Sequence, residues 1–442
     1  LSNTFYTPLL LVMLGAMAWL AAITRKFLFN TVTIICGMWF VSVFFASLGL
    51  FGIRPYSERA LAMIAIGCVG IAMGDLLIRL ISQHVYGMDK KQSSLGGNSA
   101  YSLNMRALLC FQIFCTVYYA LMCAKSFQLL RAGRTFADLR TIYQGYAYTE
   151  TTLSNFEQAI GNHIAKSFIF IIIPTALIVL FTRREVRYRK TVLILTVLDL
   201  CMYTFYTASR MVVMVAVSNA LVLMVLYKAH IPKKVLKRMK KMGIVCCIAV
   251  VVVTALRATS QSLLGVWETV YAYFSAPLPL MSLWIEKIDA SIRPTKGLAF
   301  LNGLLSAFDI LFKRFNIVIE AHQESSSFIS SFETFIPVYG GKKINAFVSA
   351  FSYFYLDGRE AGVFFFGGVM GMIGGYFEER VQKRPDLLSV LTYILLLQAV
   401  VKFLFKWEFA SSSYVLAFVY LRLVFVRRRR FVLARVKRNI ME

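Results

Sequence analysis

Four arginines, Arg140, Arg210, Arg257 and Arg293, are where a chemical reading of this chain begins. Arg210 falls in "TFYTASRMVVMVA" (204–216), between two hydrophobic runs, and Arg257 in "TALRATS" (254–260) closes another. Arg140 lies in "FADLRTIYQGYAYTE" (136–150) and Arg293 in "ASIRPTKG" (290–297). A charge at the centre of a membrane span costs roughly 2.5–3.5 kcal/mol on insertion scales, and residues of this kind usually mark a substrate path. Guanidinium grips phosphate with two parallel hydrogen bonds, which an ammonium cannot do. Ser209 is a candidate N-cap for the helix that follows Arg210, so free backbone N–H groups and the positive dipole end would face the same anion. Two readings of Arg210 stand side by side: a helix-end residue that snorkels to the head groups, and one arm of a clamp on a lipid-linked phosphate or pyrophosphate.

The stretch "GGKKINAFVSAFSYFYLDGREAGVFFFGGVMGMIGGYFEER" (340–380) supplies a different chemistry. An amide, Asn345, precedes an aromatic run that includes Tyr353 and Tyr355, and Asp357-Gly358 follows. Aromatic faces beside amide and carboxylate groups suit sugar rings, which offer C–H faces and hydroxyls. Asp357 is the preferred general base, from a set that also holds Glu333, Glu268, Glu320, His163 and His322. The other reading of Asp357 is a helix cap or a partner of Arg359. Glu333 is also a candidate substrate contact. Glycines at 367, 371 and 375 predict close helix packing rather than chemistry. No His-rich or D-x-D cluster points to a metal. The eight cysteines lie inside apolar runs without a C-x-x-C pair, so neither zinc nor disulfides are expected.

These residues must be held by membrane helices. Of the 442 residues 58% are hydrophobic and 16% charged, outside the range of soluble domains. Runs of about 20 apolar residues, enough to cross roughly 30 Å of hydrocarbon, recur near 5–23, 28–52, 60–82, 107–129, 163–182, 191–208, 210–228, 242–257, 363–379, 387–406 and 409–426. The expectation is a single all-α polytopic membrane domain, 1–442, of about eleven spans (ten to twelve).

Basic clusters at 183–190, 228–241, 378–384 and 427–439 fall on one side if the spans alternate, which places that side and the C-terminus in the cytoplasm. Two connections on the opposite side are long: 130–162, and 258–362 with two apolar stretches that read as interfacial or re-entrant helices. All four arginines then share the outer side. The formal charge of +26 needs no nucleic acid, because more than half of the 48 Lys and Arg lie in inner connections and the tail. The first apolar run lacks a basic residue before it and is followed by Arg25 and Lys26, so it does not read as a cleavable signal. No P-loop, dinucleotide fingerprint or internal repeat is present.

Many spans, a serine-arginine step between central helices, a long outer connection late in the chain and an "N…Y-x-D-G…G" run before the next span resemble the bacterial oligosaccharide repeat-unit polymerases. These Wzy-type enzymes of O-antigen, capsule or exopolysaccharide synthesis are in turn similar to GT-C-like membrane glycosyltransferases. Val348 and the direct Asp357-Gly358 step depart from the family pattern, which often has a threonine after the asparagine and an aromatic before the glycine.

The resemblance implies transfer of a glycan from polyprenyl (undecaprenyl) pyrophosphate to a sugar hydroxyl of a second carrier-linked unit, at the outer face of the bacterial inner membrane, without cofactor or metal. It implies Arg210 and Arg257 as the pyrophosphate clamp, Arg140 and Arg293 as supporting contacts, and membrane lipids, a chain-length regulator and a flippase as partners. Two other readings remain open: an O-antigen ligase-type transferase and a lipid-linked glycan flippase or transporter.

Overall fold

The computed structural model describes residues 5–25, 27, 29–85, 101–144, 153–181, 188–209, 211–226, 263–317, 319–339, 342–344, 348–383, 386–422 and 426–428. Within them the chain is helical, apart from two short antiparallel strand pairs, Tyr101–Leu103 with Val426–Arg428 and Ile336–Tyr339 with Lys342–Ile344. Among the described residues six helices are long and apolar enough to cross a membrane: Tyr6–Arg25, Glu58–Ser82, Met105–Arg131, Phe156–Leu180, Arg189–Thr207 and Ala350–Lys383. Thr31–Ser47, Val212–Met224 and Leu387–Val401 are shorter apolar helices. The expected span near 242–257 lies outside the described residues.

In chain order, α1 is Tyr6–Arg25, α2 Thr31–Ser47, α3 Glu58–Val85, α4 Met105–Arg131, α5 Phe136–Gln144 and α6 Asn155–Ala159. A π turn, Ile160–Ala165, leads into α7, Lys166–Phe181, followed by α8, Arg189–Thr207, and α9, Met211–Leu226. Next come α10, Leu263–Ser275, α11, Pro277–Ser291, α12, Asn302–Arg314, and α13, Glu320–Ser331. The chain continues through α14, Ala350–Lys383, α15, Leu387–Val401, and α16, Ser412–Tyr420. Helix starts follow local chemistry. Asn30 accepts from the Thr33 N–H at 2.7 Å, Asp386 from Ser389 at 3.0 Å, and Ser154 with Glu157 forms a reciprocal capping box.

The tightest pairing is α3 with α14, which run parallel along facing glycines. A Cβ added to Gly70 would stand 2.5 Å from the Phe364 carbonyl oxygen, and one on Gly375 2.6 Å from Asp75 Oδ1. Gly367 and Gly371 lie against the backbone of Gly67 and Ile71. The glycines expected to pack do so, against Gly67, Ile71 and Asp75 of α3. Close backbone approach of this kind is a main source of helix association where lipid offers no hydrophobic drive.

Two features differ from the reading of the sequence. The stretch 277–285, expected at the interface, is buried throughout as the first half of α11. Its charges are confined to the last turns, so the first half has no polar face to offer water. The run Phe351–Tyr355, expected in a connection, forms the buried start of α14, continuous with the following span across a break at Gly358 and Arg359. Four rings within five residues put apolar surface all round the helix, and core burial satisfies it.

Candidate functional site

The carboxylate of Asp357 fastens a loop. Its Oδ1 accepts from Thr295 Oγ1 (2.6 Å) and the N–H groups of Gly297 and Ala299 (both 2.9 Å), and its Oδ2 from the Phe300 N–H (2.7 Å). Arg359 does not pair with it. Instead Arg359 Nε meets Asp289 at 3.0 Å and Nη2 donates to the Ile292 carbonyl at 2.7 Å. These contacts tie Asp357 to the non-helical segment 295–300, just before α12.

Tyr355 is buried, donates to Asp289 at 2.9 Å, and has the guanidinium groups of Arg59 and Arg359 each 5.4 Å from its ring centre. The Tyr353 ring meets Phe332 edge-on at 4.9 Å. Arg293 is exposed on the loop before Thr295, and Arg140 lies on α5. Arg210, Arg257 and Asn345 lie outside the described residues.

A second group of polar residues gathers at the same end of the bundle. Lys402 caps α15, and its Nζ stands 3.1 Å from Glu408 Oε1 and 4.7 Å from the centre of the Phe170 ring. Lys406 Nζ reaches the same carboxylate at 3.6 Å. Lys166, the first residue of α7, interacts electrostatically with Lys402, Lys406, Glu408 and Glu333. All three ammonium groups therefore act on the Glu408 carboxylate. Lys402 and Glu408 are almost fully buried, whereas Lys406 remains about one-third exposed (32%).

Burial alone would push the Glu408 carboxyl up, but the ammonium groups of Lys402 and Lys406 prevail and hold it at about 2. Burial pushes the Lys402 ammonium down, with Glu408 opposing.

His163 lies on the π turn that leads into Lys166, where a widened helix re-aims side chains. Its Nδ1 is 3.3 Å from Ser412 Oγ, at the start of α16. Asp309 of α12 interacts with His163 and stands 3.6 Å from Nδ1 of the buried His322. His322 Nε2 is buried and has no hydrogen-bond partner among the described residues.

The opposite end of the bundle carries a closed network. Arg25 and Arg79 meet Asp75 and Glu378, with Arg79 Nη2 2.9 Å from Glu378 Oε1 and Arg79 Nε 3.2 Å from Asp75 Oδ2. Two cations and two buried anions balance, which is the arrangement of a structural anchor between α1, α3 and α14. Between the ends, buried Asp199 of α8 accepts from Thr116 Oγ1 (2.6 Å) and Gln112 Nε2 (3.2 Å) of α4. This joins two spans by side-chain hydrogen bonds.

Lys166, Lys402, Lys406 and Glu408 escaped sequence reasoning because each sits at the edge of an apolar run and reads as the end of a span. The signal was present in "VKFLFKWE" (401–408), whose lysines are four residues apart and precede a glutamate in an otherwise apolar stretch. Against known proteins, the chain matches no family model, no curated protein and no solved structure.

Proposed function

We propose that this membrane protein is a metal-independent glycosyltransferase that polymerises lipid-linked oligosaccharide units. In this reading the fold has about eleven spans, sits in the bacterial cytoplasmic membrane with its C-terminus inside, and works at the outer face. One observation carries the proposal: the ammonium groups of Lys166, Lys402 and Lys406 gather on Glu408 at the end of the helix bundle where His163 also lies. Cations there suit a departing diphosphate, and an imidazole at the same end suits a hydroxyl proton.

The reaction joins two carrier-linked glycans. The acceptor hydroxyl oxygen attacks the anomeric carbon of the donor, and the bond from that carbon to the pyrophosphate oxygen breaks with its electron pair. The hydroxyl proton passes to His163, which takes the base role that the sequence suggested for Asp357. Lys402 and Lys406, with Arg210 and Arg257, stabilise the charge growing on the polyprenyl pyrophosphate. Fixed donors of this kind are typically worth about 3–4 kcal/mol of barrier each. Asp357 contributes by holding the loop that carries Arg293.

The test is chain length on carrier lipid, measured with purified protein in liposomes and no ion gradient. Lys406→Gln should lengthen chains at least about a hundredfold more slowly than wild type, by the magnitude above, with unchanged membrane insertion. A wild-type rate in Lys406→Gln, or carrier lipids that cross the bilayer without lengthening, would falsify the proposal. Addition of a single finished glycan, with no ladder of lengths, would favour ligase-type transfer.

A further inference from the structure

Residues 292–300 form a loop fastened on every side that nonetheless presents two cations outward. Besides the four bonds to the Asp357 carboxylate, the Thr295 and Lys296 N–H groups donate to the carbonyls of Leu356 (3.1 Å) and Asp357 (2.9 Å). From the other flank, Arg359 holds the Ile292 carbonyl, and Arg359 itself occupies the left-handed side of backbone space at the helix break (φ 54). At the far end, Trp407 Nε1 donates to the Phe300 carbonyl at 2.9 Å, and the Phe300 ring stacks on Trp407 and Phe366.

Within this frame Lys296 has φ 55 and Gly297 φ 97. Glycine would be at ease at both positions, whereas a lysine there costs roughly 1–2 kcal/mol. Strain of this kind persists only where surrounding contacts enforce it, and it clusters at functional positions. Arg293 and Lys296 are both exposed, and neither has a carboxylate partner among the described residues. By contrast, Arg59 and Arg359 nearby are each paired with Asp289.

We propose that Arg293 and Lys296 form a second anion site, for a phosphate group carried on a lipid, and that Asp357 and Arg359 are its positioning residues. The inference rests on the polymerase reading, in which two carrier-linked diphosphates bind at once. The lysine group receives one and this loop the other. The two sites are neighbours: Trp407, which holds Phe300, lies between Lys406 and Glu408, and four residues from Lys296 to Phe300 span at most about 14 Å.

Binding of tritiated farnesyl diphosphate to the full chain in phosphatidylcholine nanodiscs tests this directly. Wild type should take up two equivalents, and the double variant Arg293→Gln/Lys296→Gln should retain one, the other weakening at least about tenfold. Lys296→Gly should weaken the same equivalent while melting no lower than wild type, since glycine relieves the backbone. That separates loss of charge from loss of fold.

Two equivalents of unchanged affinity in the double variant overturn the inference. A single wild-type equivalent that Lys406→Gln removes also overturns it, yet leaves the polymerase site standing. A single equivalent lost only in the loop variants supports this site and removes the lysine dock instead. Nanodiscs containing phosphatidylglycerol identify the source of the phosphate: loss of the loop equivalent assigns it to a phospholipid head group, and retention assigns it to the carrier.

Discussion

At the scale of single residues, burial and partners decide what each polar group can do. Asp357 stood out in the sequence for its position beside aromatics, but position does not reveal that four donors converge on its carboxylate. Those donors are mostly backbone N–H groups, to which residue types bear no witness. Glu408 is the converse case: an inconspicuous residue whose carboxylate two lysines share. Its folded pKa of about 2 lies below the ordinary 4.5, so the unfolded chain binds the proton more tightly between those values. Its contribution to stability is therefore fully present above about pH 4.5 and is lost as the pH falls toward 2. Melting temperature in nanodiscs should drop through that window, and by less in Glu408→Gln after correction for its lower starting point. Parallel curves for the two proteins would show that the carboxylate is not held charged by the lysines.

At the scale of elements, the spacing of glycines forecast a tight helix contact on α14 but not its partner. Glycines at 367, 371 and 375 define a face by periodicity alone, whereas Gly67, Gly70 and Gly74 of α3 become meaningful only once the two helices are known to touch. The pairing makes a sharp comparison available. Gly70→Leu drives a side chain into the Phe364 backbone and should cost at least about 3 kcal/mol, in line with severe overpacking. Gly37 of α2 has open space where a Cβ would go, so Gly37→Ala should gain about 0.5–1 kcal/mol from the helix propensity of alanine. Recovery of monodisperse protein and its melting temperature report both; equal tolerance at 37 and 70 would mean that α3 and α14 do not meet along this seam. The aromatic run of α14 carries a related lesson. Aromatics beside an amide suited sugar stacking, yet closely spaced rings also form a core, and neighbours choose between the two.

At the scale of the whole molecule, the charge distribution differs between the two ends. Arg25, Arg79, Asp75 and Glu378 neutralise one another at one end, whereas at the other Lys166, Lys402 and Lys406 all act on the single carboxylate of Glu408. Arg79→Gln should therefore destabilise by about 3–5 kcal/mol, because it strands buried carboxylates. Lys406→Gln, at a partly exposed cation, should shift stability by less than about 1 kcal/mol. Equal melting temperatures for the two variants would remove the distinction between anchor and site. The order of residues was sufficient by itself to show a helical membrane protein with apolar spans, because hydropathy and helical periodicity are properties of neighbours in the chain. Which cations meet, that Asp357 grips a loop some sixty residues away, and that α3 receives the glycines of α14 were decided by tertiary structure alone, because each depends on groups brought together from distant parts of the chain.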